Sequence, residues 1–231
     1  MKPPRQHKIM DNAYAYIKEA SRRSRGFHIH KSIPVLIKDA PISEEVDIEE
    51  FVEEVEKRIP RALLQNVEMI YIGEFPHLED RNALYSDGGI YITNREPTTH
   101  DMLEDIIHEI AHAVEIGRDI YSVNLRNEFL GKRERLKSIL ESEGYELPEK
   151  YYHDIEYNTV FDKFLSDVVG YPALLNLTMG LFVSPYGATS INEYFANGFE
   201  KYYLGMARDV KKTSPVLYEI LSAIYRESDD I

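Results

Sequence analysis

The hydrophobic period of this chain changes at Thr98. Before that residue, short apolar runs bounded by turn residues read as strands; after it, nearly every apolar residue recurs at helical spacing. Ile33 to Ile37 predicts a strand, with Pro34 tolerated near its start or on an edge. Val67 to Ile72 predicts a second. The runs Ala83–Tyr85 and Ile90–Thr93 flank Ser86-Asp87-Gly88-Gly89, a hairpin signal with glycine where positive φ is needed. Helices are expected over 8–24 and over 44–58, the latter capped by Ser43 and bounded by Pro60. Five more follow at roughly 99–116, 124–142, 153–168, 190–204 and 215–227, the last opened by Ser214-Pro215. Strands first and helices second make the class α+β. No repeat, low-complexity tract or linker interrupts the pattern. The expectation is one domain over 1–231, with an N-terminal lobe (1–118) holding the sheet and a helical C-terminal lobe (119–231).

Composition removes several classes of function. The chain has no cysteine, so disulfide scaffolds, thiolate metal sites and thiol nucleophiles are all excluded. Forty acidic against 27 basic residues give a formal charge of -13, the wrong sign for phosphate contact, so no nucleic-acid partner is expected. The N-terminus has basic residues but no apolar core, so no signal peptide is expected. The longest apolar stretch, Pro172 to Val183, is too short to span a bilayer and is expected in the core. These features point to no membrane partner, and to a cytoplasmic location or delivery without a signal peptide. Oligomeric state is left open.

The chemistry concentrates in His108-Glu109-Ile110-Ala111-His112. On a helix, residues four apart share a face, so both imidazoles can reach one metal ion. Glu109 sits about 100° around the axis, within reach of a water beside that ion. The helical context is right: Thr98 or Thr99 can cap it, Gly117 can end it, and Leu103, Ile106, Ile107, Ile110 and Val114 form an apolar stripe. A zinc site needs a third protein ligand, and downstream candidates are His153, Asp154, Glu156, Glu193 and Glu200. In Ser190-Ile-Asn-Glu-Tyr-Phe-Ala-Asn-Gly-Phe-Glu, Glu193 leads a helix with Ile191, Tyr194, Phe195 and Gly198 turned inward. Asn197 lies one turn on, placed to orient a ligating histidine. Two roles stay open for Glu193, metal ligand or the acidic half of a Ser190 capping box. The other histidines carry no metal pattern; His28 and His30 alternate as on a strand and are expected at the surface.

These residues together resemble a known family. H-E-x-x-H followed by Asn192-Glu193-x-x-Ala196-Asn197 is similar to the paired motifs of gluzincin metallopeptidases. Pro185-Tyr186-Gly187, with Tyr186 seven residues before Glu193, resembles the lethal-factor-like and Pro-Pro endopeptidase family more specifically. The resemblance covers 80–125 and 183–205; residues 1–79 match nothing in it, and 130–180 is longer than the family's connection. It implies a zincin-like fold: a small mixed sheet, an active-site helix and a mainly helical C-terminal lobe. It further implies one zinc ion per chain on His108, His112 and Glu193, with Glu109 as general base and Tyr186 as oxyanion donor. The substrate would be a peptide or protein bound in extended form along the edge strand Gly89, Ile90, Tyr91 and Ile92. The competing expectation is a non-catalytic structural or interaction protein that keeps such a fold; a purely structural site would have no use for Glu109.

Overall fold

The computed structural model describes residues 26–229, so the helix expected over 8–24 lies outside the described residues. A five-stranded mixed sheet is built from β1 (Phe27–Ile29), β2 (Ile33–Ile37), β3 (Met69–Gly73), β4 (Ala83–Ser86) and β5 (Gly89–Thr93). Its order is β1-β2-β3-β5-β4. β2, β3 and β5 run parallel, while β1 and β4 close the two edges antiparallel. Asp87 and Gly88 both have positive φ, 48° and 81°, so the β4–β5 hairpin turns in two residues, as the Asp-Gly pair favours.

Side chains alternate across the strands, and Val35, Ile70, Ile72, Ile90 and Ile92 all point to one buried face. Helices α1 (Ile48–Arg58) and α2 (Thr99–Glu115) pack on the sheet and on each other. Each aliphatic side chain so buried contributes about 1.5–3 kcal/mol. α2 starts as its sequence dictates: the Thr98 hydroxyl accepts the Asp101 N–H, and Gly117 in left-handed geometry follows its end. Every residue of the expected stripe on α2 is buried. α1 begins at Ile48 rather than near 44, because Asp47 accepts the N–H groups of Glu49 and Glu50. Ser43 does not cap it; its hydroxyl donates to the Pro97 carbonyl at 2.7 Å.

Helices supply the rest: α3 (Val123–Ser142), α4 (Lys150–His153), α5 (Thr159–Lys163), α6 (Tyr171–Leu177), α7 (Ile191–Lys201), α8 (Ala207–Thr213) and α9 (Pro215–Asp229). The single helix expected over 153–168 is broken, since Asn158 caps α5 through Val160 and Phe161 N–H groups. α5 then runs into a π-helical turn, Phe164–Val169. The Pro172 to Val183 stretch is only partly core: Leu174, Leu181 and Phe182 are buried, while Leu175 and Met179 face solvent. The first N–H groups of α9 go not to Ser214 but to Glu128 of α3, which accepts from Val216 and Leu217. α7 packs along α2, so α2 lies between the sheet and α7. Among the described residues no helix is long and apolar enough to cross a membrane.

Candidate metal centre

The packing of α7 on α2 brings together residues far apart in sequence. His108 and His112 lie one turn apart with ring centroids 5.1 Å from each other. The donor atoms of His108, Glu109 and His112 all fall within 4.8 Å, enough to hold one metal ion. From α7, Glu193 faces both rings: its Oε2 is 3.1 Å from His108 Nε2 and its Oε1 is 3.8 Å from His112 Nε2. Ser190 does accept the Glu193 backbone N–H at 3.1 Å, so half of the capping box forms, but the carboxylate is turned to the histidines. Between the two carboxylates beside the rings, Glu109 is the one held elsewhere. Its Oε2 accepts the Tyr85 backbone N–H at 2.5 Å, from strand β4.

The outer ring nitrogens are backed by two acids: Glu200, expected only as a candidate third ligand, and Glu115, which the sequence did not single out. His108 Nδ1 donates to Glu200 Oε2 at 3.3 Å, and Glu200 is in turn paired with Lys201 at 2.7 Å. His112 Nδ1 lies 3.8 Å from Glu115 Oε2, and Asn192 holds that carboxylate through an Nδ2 hydrogen bond of 2.9 Å. Both were detectable by spacing: Glu200 is seven residues, two helical turns, after Glu193, and Glu115 is three after His112. Asn197 does not orient a histidine. Its amide donates to the Glu193 backbone carbonyl at 2.7 Å, one turn back on its own helix.

Electrostatics follow from this enclosure. Burial opposes a charge on His108, but hydrogen bonds to Glu193 and Glu200 outweigh it and push the ring up to about 10. A proton on Nε2 there occupies the position a metal ion would take between His108 and Glu193. Burial likewise opposes charge on His112, and Glu115 and Glu193 reverse it, raising the ring above the usual histidine range. Burial works against the Glu200 carboxylate too, yet His108 and Lys201 hold it below the usual range. Two imidazole nitrogens and a carboxylate converging on a cation position are a donor set suited to zinc, with coordination left over for a substrate.

These groups line a cleft of about 800 Å³ between the β4 edge and the helical lobe. Tyr186, in the 3₁₀ turn Pro185–Ala188, lines it with Tyr85, Tyr157 and Tyr171. Burial, with the Glu193 charge added, raises the Tyr186 phenol well above the ordinary tyrosine range. A second hollow of about 850 Å³, lined by Phe75, Arg81 and Arg95 among others, carries no histidine. Comparison with known proteins gives no identity. No family model, no curated protein and no solved structure matches the chain.

The edge-strand expectation needs correction. Gly89, Ile90, Tyr91 and Ile92 are paired on both sides, with β3 and with β4, so β5 is an interior strand. The hairpin folds its first strand outward, and the edge beside the cleft is β4. Thr93 N–H bonds to Asn82 O, so by antiparallel alternation the backbone groups of Ala83 and Tyr85 point away from β5. His153 is exposed, with its Nε2 3.2 Å from Glu149. His30 is not a surface strand residue: it lies in the turn after β1 with its ring nitrogen against the Ile59 carbonyl at 2.8 Å.

Proposed function

We propose that the chain is a zinc-dependent endopeptidase with a zincin-like fold of the gluzincin type. His108, His112 and Glu193 are the metal ligands and Glu109 is the general base. One arrangement carries the reading. Both histidine Nε2 atoms face the two oxygens of Glu193, while the neighbouring Glu109 is pinned at one oxygen to the edge strand. Zinc at this position supplies Lewis acidity, polarising a carbonyl and lowering the pKa of a water toward neutrality.

The chain's own residues do the rest. Glu109, fixed through Tyr85 N–H, keeps its other oxygen to accept a proton from the attacking water. The water oxygen bonds to the peptide carbon, the C–N bond breaks, and Glu109 passes the proton to the leaving nitrogen, giving an amine and a carboxylic acid, which releases the water's second proton to solvent. Tyr186 keeps its proton at neutral pH, so its O–H can donate to the oxyanion that forms. An extended substrate pairs with β4 through the outward backbone groups of Ala83 and the Tyr85 carbonyl; the Tyr85 N–H is already engaged by Glu109. Glu200 and Glu115 hold the imidazoles with Nε2 turned to the metal position.

The test combines metal content with cleavage of a peptide library. One zinc per chain is expected in the parent and in Glu109→Gln, with cleavage lost in the variant by about 100-fold or more. A chain that holds no stoichiometric metal, or a Glu109→Gln variant that cuts as fast as the parent, overturns the proposal.

A further inference from the structure

Beside the histidine centre, reaching into the same cleft through Asp105 and Asn82, lies a second cluster of oxygen ligands, which the chemistry above does not use. Glu96 stands in the turn leaving β5, 1% exposed, and neither carboxylate oxygen has a hydrogen-bond partner. It meets Asp105 of α2, whose buried Oδ2 is also without a partner. Asp101 adds negative charge nearby, and Asn82 contacts Asp105 from the start of β4. With both groups ionised, three buried acceptor oxygens thus gather with no donor, an arrangement that costs several kcal/mol unless a proton shared between the carboxyls or a positive charge joins it. One shared proton would bridge two of the three oxygens and leave the third bare. A metal cation satisfies all three.

We propose that Glu96 and Asp105 bind a hard divalent cation, calcium, at a second metal site separate from the histidine centre. The donors are oxygens alone, which suits calcium and does not suit zinc. Calcium takes six to eight oxygens at flexible geometry, including both oxygens of one carboxylate and several waters. A cavity of about 250 Å³ lined by Asn82, Glu96, Asp101, Glu104 and Asp105 adjoins the pair and has room for those waters. With two carboxylates the affinity is modest, a dissociation constant on the order of 10⁻⁴–10⁻³ M. The bound ion would tie the turn after β5 to α2 three residues before His108. Through Asn82 it would also steady the start of the edge strand.

The test is thermal unfolding of the full chain, loaded with one equivalent of zinc, across calcium concentrations up to about 10 mM. The parent should gain roughly 3–10 °C at the highest concentration, rising with the logarithm of calcium once the dissociation constant is passed. Glu96→Gln and Asp105→Asn each supply an amide donor to the remaining carboxylate, so both should fold, and both should lose the calcium response. An unchanged parent midpoint overturns the site, and a higher calcium-free midpoint in Glu96→Gln would then assign the pair to a shared proton. An equal calcium response in parent and variants also overturns it, because the binding would then lie elsewhere.

Discussion

A methyl group placed at Gly198 tests how the site is held together. Gly198 sits on α7 between Glu193 and Glu200, and a Cβ there would lie 2.3 Å from Leu217 Cδ2 and 3.1 Å from its Cγ. Carbon atoms make contact at about 3.5 Å, so the methyl is short of room by roughly 1.2 Å. Leu217 is fully buried on α9, and its N–H is anchored to Glu128, which also accepts the Tyr194 hydroxyl. Neither backbone can retreat without breaking those bonds, so Leu217 must leave its rotamer or α7 must tilt. Overpacking of this severity costs about 3 kcal/mol, and the better helix propensity of alanine returns about 1. Gly198→Ala should therefore lose about 2 kcal/mol in urea unfolding, a net of those two terms. Leu217→Ala alone should lose roughly 2–5 kcal/mol. In the double variant the clash is gone and the new methyl fills part of the hole, so its loss should fall short of the sum by about 1–3 kcal/mol. Zinc affinity should follow the same order, because a tilt of α7 moves Glu193 and Glu200 relative to His108. A Gly198→Ala protein as stable as the parent, or strictly additive losses in the double variant, would falsify the claim that this contact sets the seat of α7.

Three further outcomes follow from the site. Glu200→Ala should weaken zinc binding by about 10–100-fold, with Glu200→Gln intermediate, because His108 loses the acceptor at Nδ1; equal affinity in a metal competition assay would remove Glu200 from that role. Tyr186→Phe should lower kcat by about 100-fold with KM little changed, and a KM effect alone would make the ring a binding surface instead. In calcium-free buffer, burial and then the Asp105 charge push Glu96 up to about 8, and burial pushes Asp105 to about 6 against hydrogen bonds from a protonated Glu96 and from Asn82. The folded state then holds more protons than the unfolded one, so stability present at pH 4 falls as pH rises toward 8, by up to about 1.4 kcal/mol per pH unit for each group, Asp105 up to about pH 6 and Glu96 up to about pH 8. Glu96→Gln should flatten that slope in denaturation series, and a parent whose stability climbs over the same interval would contradict the sign.

How much of this was legible in the sequence depends on whether a feature is local. Helix α2 was readable in full, since its Thr98 cap, apolar stripe and paired histidines all obey one 3.6-residue period. Glu193 is readable as a candidate, because Ile191, Tyr194 and Phe195 around it follow the helical period and are buried on the inner face of α7. What failed were choices between near neighbours that only tertiary structure makes. Ser43 and Asp47 are both competent caps; Ser43 accepts only the Glu45 N–H, in a turn pinned through its own hydroxyl to Pro97, while Asp47 accepts both Glu49 and Glu50 N–H groups and starts the helix. β4 and β5 are equally good strands by pattern; parallel pairing with β3 claims β5 and leaves β4 at the edge. Asn197 and Glu200 both share the Glu193 face, but Asn197 bonds its own helix, and the approach of α7 to α2 decides which reaches His108. The seat of α7 on α9 is close because Gly198 has no side chain against Leu217. A residue that carries no chemistry thus helps seat the helix that presents Glu193 and Glu200, and a glycine in mid-helix is the only trace of that contact in the sequence.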